Sequence, residues 1–166
     1  CSAAVPYLGA VMAMPIEATF HFFRALTFLR SLQEDGSDAS AEEIKSWRAT
    51  AESDLERLAR WAKESPETFE AKFRIVKAEI IRASGNTLAA LTEYDAAIGA
   101  AETSGFPHYA ALACDLASRC LLSVRRLRPA SMYLALAQRH MQNWGSSVLA
   151  SRLEVLLAPI RPYLSL

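Results

Sequence analysis

The chain has 166 residues, of which 52% are apolar and 22% charged, and its formal net charge is zero. A chain of this length can bury about 70% of its unfolded surface around one core. A neutral balance supplies no global field to draw it to nucleic acid or to an anionic membrane, so neither is expected as a partner.

Residues 1–14 are largely apolar but are interrupted by Pro6 and Gly9. They fall short of the ~20 apolar residues of a membrane span, and no basic region precedes them as in a signal peptide. They read as the end of a preceding helix, and the missing initiating Met reads as a piece of a larger protein. A first helix is predicted over residues 15–32, opened by Pro15. Phe20, Phe22, Phe23, Leu26, Phe28 and Leu29 leave it little polar face, so it should be sandwiched. Residues 33–39 (QEDGSDA) read as a polar loop. Ser40 with Glu43 then forms a capping box for a second helix reaching residue 63. Its stripe is Ile44, Trp47, Ala51, Leu55, Leu58 and Ala62, and Glu56 with Arg60 makes an i,i+4 pair on the wet face.

Ser65-Pro66-Glu67 opens the third helix with a cap, a proline and an acid. Phe69, Phe73, Val76 and Ile80 line one side of it, and Gly85-Asn86 ends it. The fourth runs to residue 103, where Gly105-Phe106-Pro107 reads as a stop and restart. The fifth carries Tyr109, Leu112, Leu116, Ala117 and Cys120. Pro129 opens the sixth, striped by Tyr133, Leu136, Ala137, His140, Met141 and Trp144. Gly145-Ser146 ends it and caps a seventh, with Leu149, Leu153 and Leu156 inward up to Pro159.

Residues 69–106 carry the tetratricopeptide frame on two helices and the turn between them: Ala78, Ala90 and Ala97 are small, Tyr94 is aromatic and Gly85 turns the chain. Weaker echoes follow 39 residues on, Ala78 to Ala117, Tyr94 to Tyr133 and Ala96 to Ala135. Such a period predicts stacked helical hairpins that cannot bury their apolar faces alone. The expected fold is an all-α, right-handed stack of antiparallel helical hairpins, tetratricopeptide-like, about seven helices in a single domain over residues 1–166.

The text FEAKFRIVKAEIIRASGNTLAALTEYDAAIGAAETSGF, continued by ALACDLASRCLL and ASMYLALAQRHMQNWGSSVLASRLE, resembles a segment of very large multi-domain signalling proteins of bacteria and fungi. Those proteins join a serine/threonine-kinase-like domain, an AAA-type ATPase module, a tetratricopeptide-like region, a GAF domain and often a histidine kinase. FHFFRALTFL and WAKESPETF fit the same region, so the resemblance spans residues 19–154. Arg125 stands near where the family usually has the second inter-helix glycine, which predicts a longer or differently shaped turn there. The chain carries no glycine-rich phosphate loop and no kinase catalytic sequence. Any catalysis is thus expected in other parts of the parent protein, and this segment is not expected to be an enzyme.

The candidate chemistry is sparse. His21, His108 and His140 lie on separate helices with no metal-ligand spacing, so neither a metal nor a cofactor is expected. His140 reads as a hydrogen-bonded packing histidine. Cys114, Asp115 and His108 lack the glycine elbow and base geometry of a nucleophile set. Cys1, Cys114 and Cys120 make no disulfide framework: the latter two are ~9 Å apart along one helix, and they read as buried thiols of a reducing cytoplasm. Arg125, Arg126 and Arg128 read as a solvated turn, and Trp47, Trp61 and Trp144 as packing residues. Glu79 with Arg82 and Asp115 with Arg119 are spaced for intrahelical bridges.

In the tetratricopeptide frame, first-of-pair helices line the concave side, which puts Lys72, Ile75, Glu79, Arg82, Cys114 and Ser118 in a groove. A mixed polar groove suits an extended peptide or a neighbouring domain's helix, with no basic cluster for a terminal carboxylate or phosphate. The function expected is a protein-interaction or intramolecular regulatory scaffold within a larger cytoplasmic sensor kinase. Its partners would be proteins, peptides or other domains of the same chain, with self-association through the apolar ends. The alternative is a peptide or small-ligand sensor with a closed pocket among the helices.

Overall fold

A computed structural model describes residues 15–34 and 39–159. The expectations for residues 1–14 and for most of the loop over 33–39 lie outside them. The described residues form seven helices and no strand: α1 (Pro15–Glu34), α2 (Ala41–Glu64), α3 (Pro66–Ala83), α4 (Thr87–Thr103), α5 (Pro107–Ser123), α6 (Leu127–Asn143) and α7 (Ser147–Leu157). Each helix packs on its chain neighbour, and α1–α3 and α3–α5 also touch, so these odd helices form an inner row. Short turns make the neighbours antiparallel.

Local signals account for the helix ends. Ser40 and Glu43 form the reciprocal capping box at α2, and the Asn86 side chain accepts from Ala89 N to cap α4. Ser65 and Ser146, expected as caps, make no such side-chain bond. Ser65 is the single residue between α2 and α3, and its hydroxyl donates to Glu67 instead, at 2.6 Å. Pro129 lies two residues inside α6, still in the first turn, where an amide has no helical partner to lose. Glu56 and Arg60 are not bridged.

The four turns from α3 to α7 share one geometry. Gly85, Gly105, Arg125 and Gly145 take positive φ of 85°, 72°, 58° and 83°. After each, an amide returns to the carbonyl five residues earlier: Asn86 to Ile81, Phe106 to Ala101, Arg126 to Leu121 and Ser146 to Met141, at 2.8–3.3 Å. This is the Schellman closure of a helix C-terminus. The turn at Arg125 is therefore neither longer nor differently shaped, contrary to the sequence expectation.

Those four positions are twenty residues apart, so one hairpin repeats every forty. At that spacing Ala90, Tyr94 and Ala97 of α4 map to Ala130, Leu134 and Ala137 of α6, and all six are buried. The 39-residue register is one residue off. It would pair Tyr94 with Tyr133, which is only partly buried and sends its hydroxyl 2.6 Å to Asp95. At forty, Ala78 maps to Ser118, and both are fully buried.

One core runs through all seven helices, from Phe22 and Leu29 through Leu58, Ile75, Val76, Ile98, Cys114 and Leu134 to Leu153. Phe22 meets Tyr109 edge-on, with ring centroids 5.6 Å apart. A second cluster, Ala78, Ala90, Tyr94, Ala117 and Cys120, sits where α3, α4 and α5 cross closely. On α7 only Leu153 of the expected inward leucines is buried; Leu149 and Leu156 are exposed, and Ala150 is buried instead. Trp144 is half exposed and lies against His108, whereas Trp61 packs between His21 and Phe69.

Candidate functional site

The inner row leaves a cleft of about 520 Å³ between α1, α3 and α5. Leu26, Leu112 and Leu116 line it with the exposed ring of Phe23, and Arg30, Gln33, Glu79, Arg82, Asp115 and Arg119 supply its polar groups. The i,i+3 and i,i+4 spacings read from the sequence close as ion pairs here. Arg82 meets Glu79 at 3.2 Å, and Arg119 meets Asp115 at 2.9 Å.

Glu79 is the hub. It is almost wholly buried, accepts from the Tyr94 hydroxyl and from Arg82, and takes Gln33 Nε2 of α1 at 3.0 Å. One carboxylate therefore ties α1, α3 and α4 together. Burial opposes charge on Arg82, but the adjacent Glu79 carboxylate outweighs it and holds the guanidinium above its usual value. Burial first, then the same carboxylate, pushes the Tyr94 phenol far up, so that it stays a donor. On the opposite wall Asp115 Oδ1 is buried without a hydrogen-bond partner, while Oδ2 takes Arg119.

Of the six groove residues expected from the sequence, Glu79 and Arg82 line this cleft. Ile75, Cys114 and Ser118 do not: each is fully buried between helices and offers no surface. Lys72 is also buried, donating to Thr68 O at 3.0 Å with its ammonium 4.5 Å from the Tyr109 ring centroid. Burial lowers its pKa. The reason is the depth of the inner row. Positions that a shallow array would open to a groove are closed between helices here. Leu26, Gln33, Leu112, Asp115 and Leu116, which the cleft does use, were not assigned to it from the sequence.

Sequence reasoning also missed a buried polar cluster between α1 and α2. His21 Nδ1 lies 2.6 Å from Asp54 Oδ1, and Arg24 Nε donates to Asp54 Oδ2 at 2.8 Å. Asp54 is wholly buried. The available signal was an acid three residues after Ala51 and four before Leu58, on an otherwise apolar stripe. His140 is buried with Nε2 3.2 Å from Glu102 Oε1, but off the line of a hydrogen bond. Cys114 and Cys120 are buried free thiols. Among the described residues no helix is long and apolar enough to cross a membrane, and no His, Cys, Asp and Glu group could hold a metal ion.

No protein-family model matches the chain, and neither curated proteins nor solved structures yield a match.

Proposed function

We propose that this chain is an interaction scaffold, a tetratricopeptide-like helical stack belonging to a larger signalling protein of the sensor-kinase type. In this reading the α1–α3–α5 cleft receives an extended segment or helix from a neighbouring domain. The observation that carries it is the cleft's make-up. An apolar lining sits beside two ion pairs, Glu79 with Arg82 and Asp115 with Arg119, open to solvent along the inner row. A small-molecule sensor would instead enclose its ligand. A docking groove offers area and a pre-set polar rim. The signalling context rests on the resemblance of residues 19–154 to the multi-domain proteins described above.

The test is selection of a displayed random-peptide library on the 166-residue chain, followed by titration of the recovered peptides against Phe23→Lys and Arg119→Gln. Both side chains are substantially exposed, so the urea midpoint should hold. Recovered peptides are expected to bind these variants at least tenfold more weakly. Failure to enrich any peptide, or peptides indifferent to both substitutions, would refute the cleft as the docking surface.

A further inference from the structure

We infer that the α6–α7 end of the stack is a second docking surface, built to seat one more amphipathic helix with an acidic face, in the place that α4 takes on α3 and α6 takes on α5. It is separate from the cleft and does not depend on its function.

The first observation is on α7. Val148, Leu149, Val155 and Leu156 recur at seven-residue spacing along one side and are 68%, 36%, 72% and 50% exposed. A solvated helix face has no use for such a stripe. At the forty-residue period its counterparts are covered. Leu149 and Leu156 correspond to Tyr109 and Leu116 of α5, both partly buried and packed against the core. Eighty residues back, Val155 and Leu156 correspond to Ile75 and Val76 of α3, both fully buried.

The second observation is on α6. A groove of about 540 Å³ is lined by Pro129, Met132, Tyr133, Ala135, Leu136 and Arg139. Ala135 is the counterpart of Asp95 on α4, and Asp95 is the residue through which α4 reaches the next even helix, at Tyr133. The groove thus lies on the side of α6 where a following even helix would be met, and it is apolar where α4 is polar. Met132 is 60% exposed there.

The repeat also fixes the chemistry of the occupant. The even helices present small, large, small at Ala90, Tyr94, Ala97 and at Ala130, Leu134, Ala137. Arg139, exposed at the groove edge and in no ion pair among the described residues, selects an acid on the incoming helix. A helix with this apolar face and acidic flank would continue the established packing.

The probe is a fluorescein-labelled 17-residue peptide with the sequence of α4, TLAALTEYDAAIGAAET, which carries the small-large-small face and three acids. Titrated into the 166-residue chain it should bind saturably. Leu156→Lys and Met132→Lys should each weaken it at least tenfold, and Arg139→Gln should weaken it several-fold and reduce the salt dependence. Both lysines replace exposed side chains, and an unchanged urea midpoint checks that the variants fold. A peptide with Glu at the positions of Ala90 and Ala97 should not bind. Absence of saturable binding, or binding indifferent to Leu156→Lys and Met132→Lys, overturns the proposal. Concentration-dependent self-association abolished by Leu156→Lys, seen by sedimentation without peptide, also overturns it, since the seat would then serve a second copy of the chain.

Discussion

Replacing Arg125 by glycine should stabilise the protein. Arg125 is the one non-glycine residue among the described ones with positive φ, at 58°. It holds the position that Gly85, Gly105 and Gly145 hold in the other three turns. An L-residue in the left-handed region carries a strain of ~1–2 kcal/mol from its Cβ against the following carbonyl. Glycine removes that strain but returns ~0.4–1 kcal/mol through the greater freedom of the unfolded chain. The Arg125 side chain is exposed and forms no ion pair among the described residues, so little else is lost. The net gain is then about 0.5–1 kcal/mol. At this chain length each kcal/mol moves the thermal midpoint by ~2–4 °C, so Arg125→Gly should melt ~1–4 °C higher. The urea midpoint should rise with an unchanged slope. The reciprocal substitution, Gly105→Ala, isolates the backbone effect, because nothing lies within 4 Å of the added Cβ. It should cost ~1 kcal/mol. An Arg125→Gly midpoint at or below wild type, or a neutral Gly105→Ala, would refute the shared turn geometry.

Two further outcomes follow from buried groups. Asp54→Ala leaves His21 and Arg24 without their shared acceptor in a closed site, and should cost ~3–5 kcal/mol in urea unfolding; a loss under 1 kcal/mol would mean that the cluster is solvated. Burial, with the charges of Glu102, Asp95 and Asp115 adding to it, pushes the Cys114 thiol up to about 12 from an ordinary 9.0. The fold thus favours the protonated thiol, and that contribution is complete below pH 9 and lost as the pH rises toward 12. Wild type should therefore lose more stability than Cys114→Ala between pH 9 and 12, and Cys114 should resist alkylation at pH 8 until the chain unfolds. Parallel pH profiles, or fast native alkylation of Cys114, would contradict its burial.

Helix boundaries were legible because punctuation marks them. Proline lies in the first turn of α1, α3, α5 and α6, and glycine lies just beyond the ends of α3, α4 and α6. The exact period was not. A 39-residue echo of alanines competes with the 40-residue turn spacing, since small residues are frequent on both sides of these helices. Only the left-handed positions are unambiguous, and one of them is an arginine. Arg125 broke the glycine pattern in the sequence while keeping its backbone in the fold.

The site was half legible for a related reason. Periodicity places a residue on a face, but its burial depends on which neighbours close over that face. Glu79 and Arg82 were found as a pair because their spacing is local. The partners that turn Glu79 into a hub, Gln33 and Tyr94, lie 46 and 15 residues away. The same argument separates Lys72, Cys114 and Ser118 from the cleft they were assigned to, and it brings in Asp115 and Arg119 from the opposite wall. The polar residues therefore divide into two kinds. Glu79 and Asp54 are held by several partners at full burial and act on the fold. Arg119, bridged to Asp115 at the cleft edge, and Arg139, at the α6 groove, are exposed, so a change at either acts on a partner at little cost to stability. Substitutions that separate binding from folding should fall in the second group.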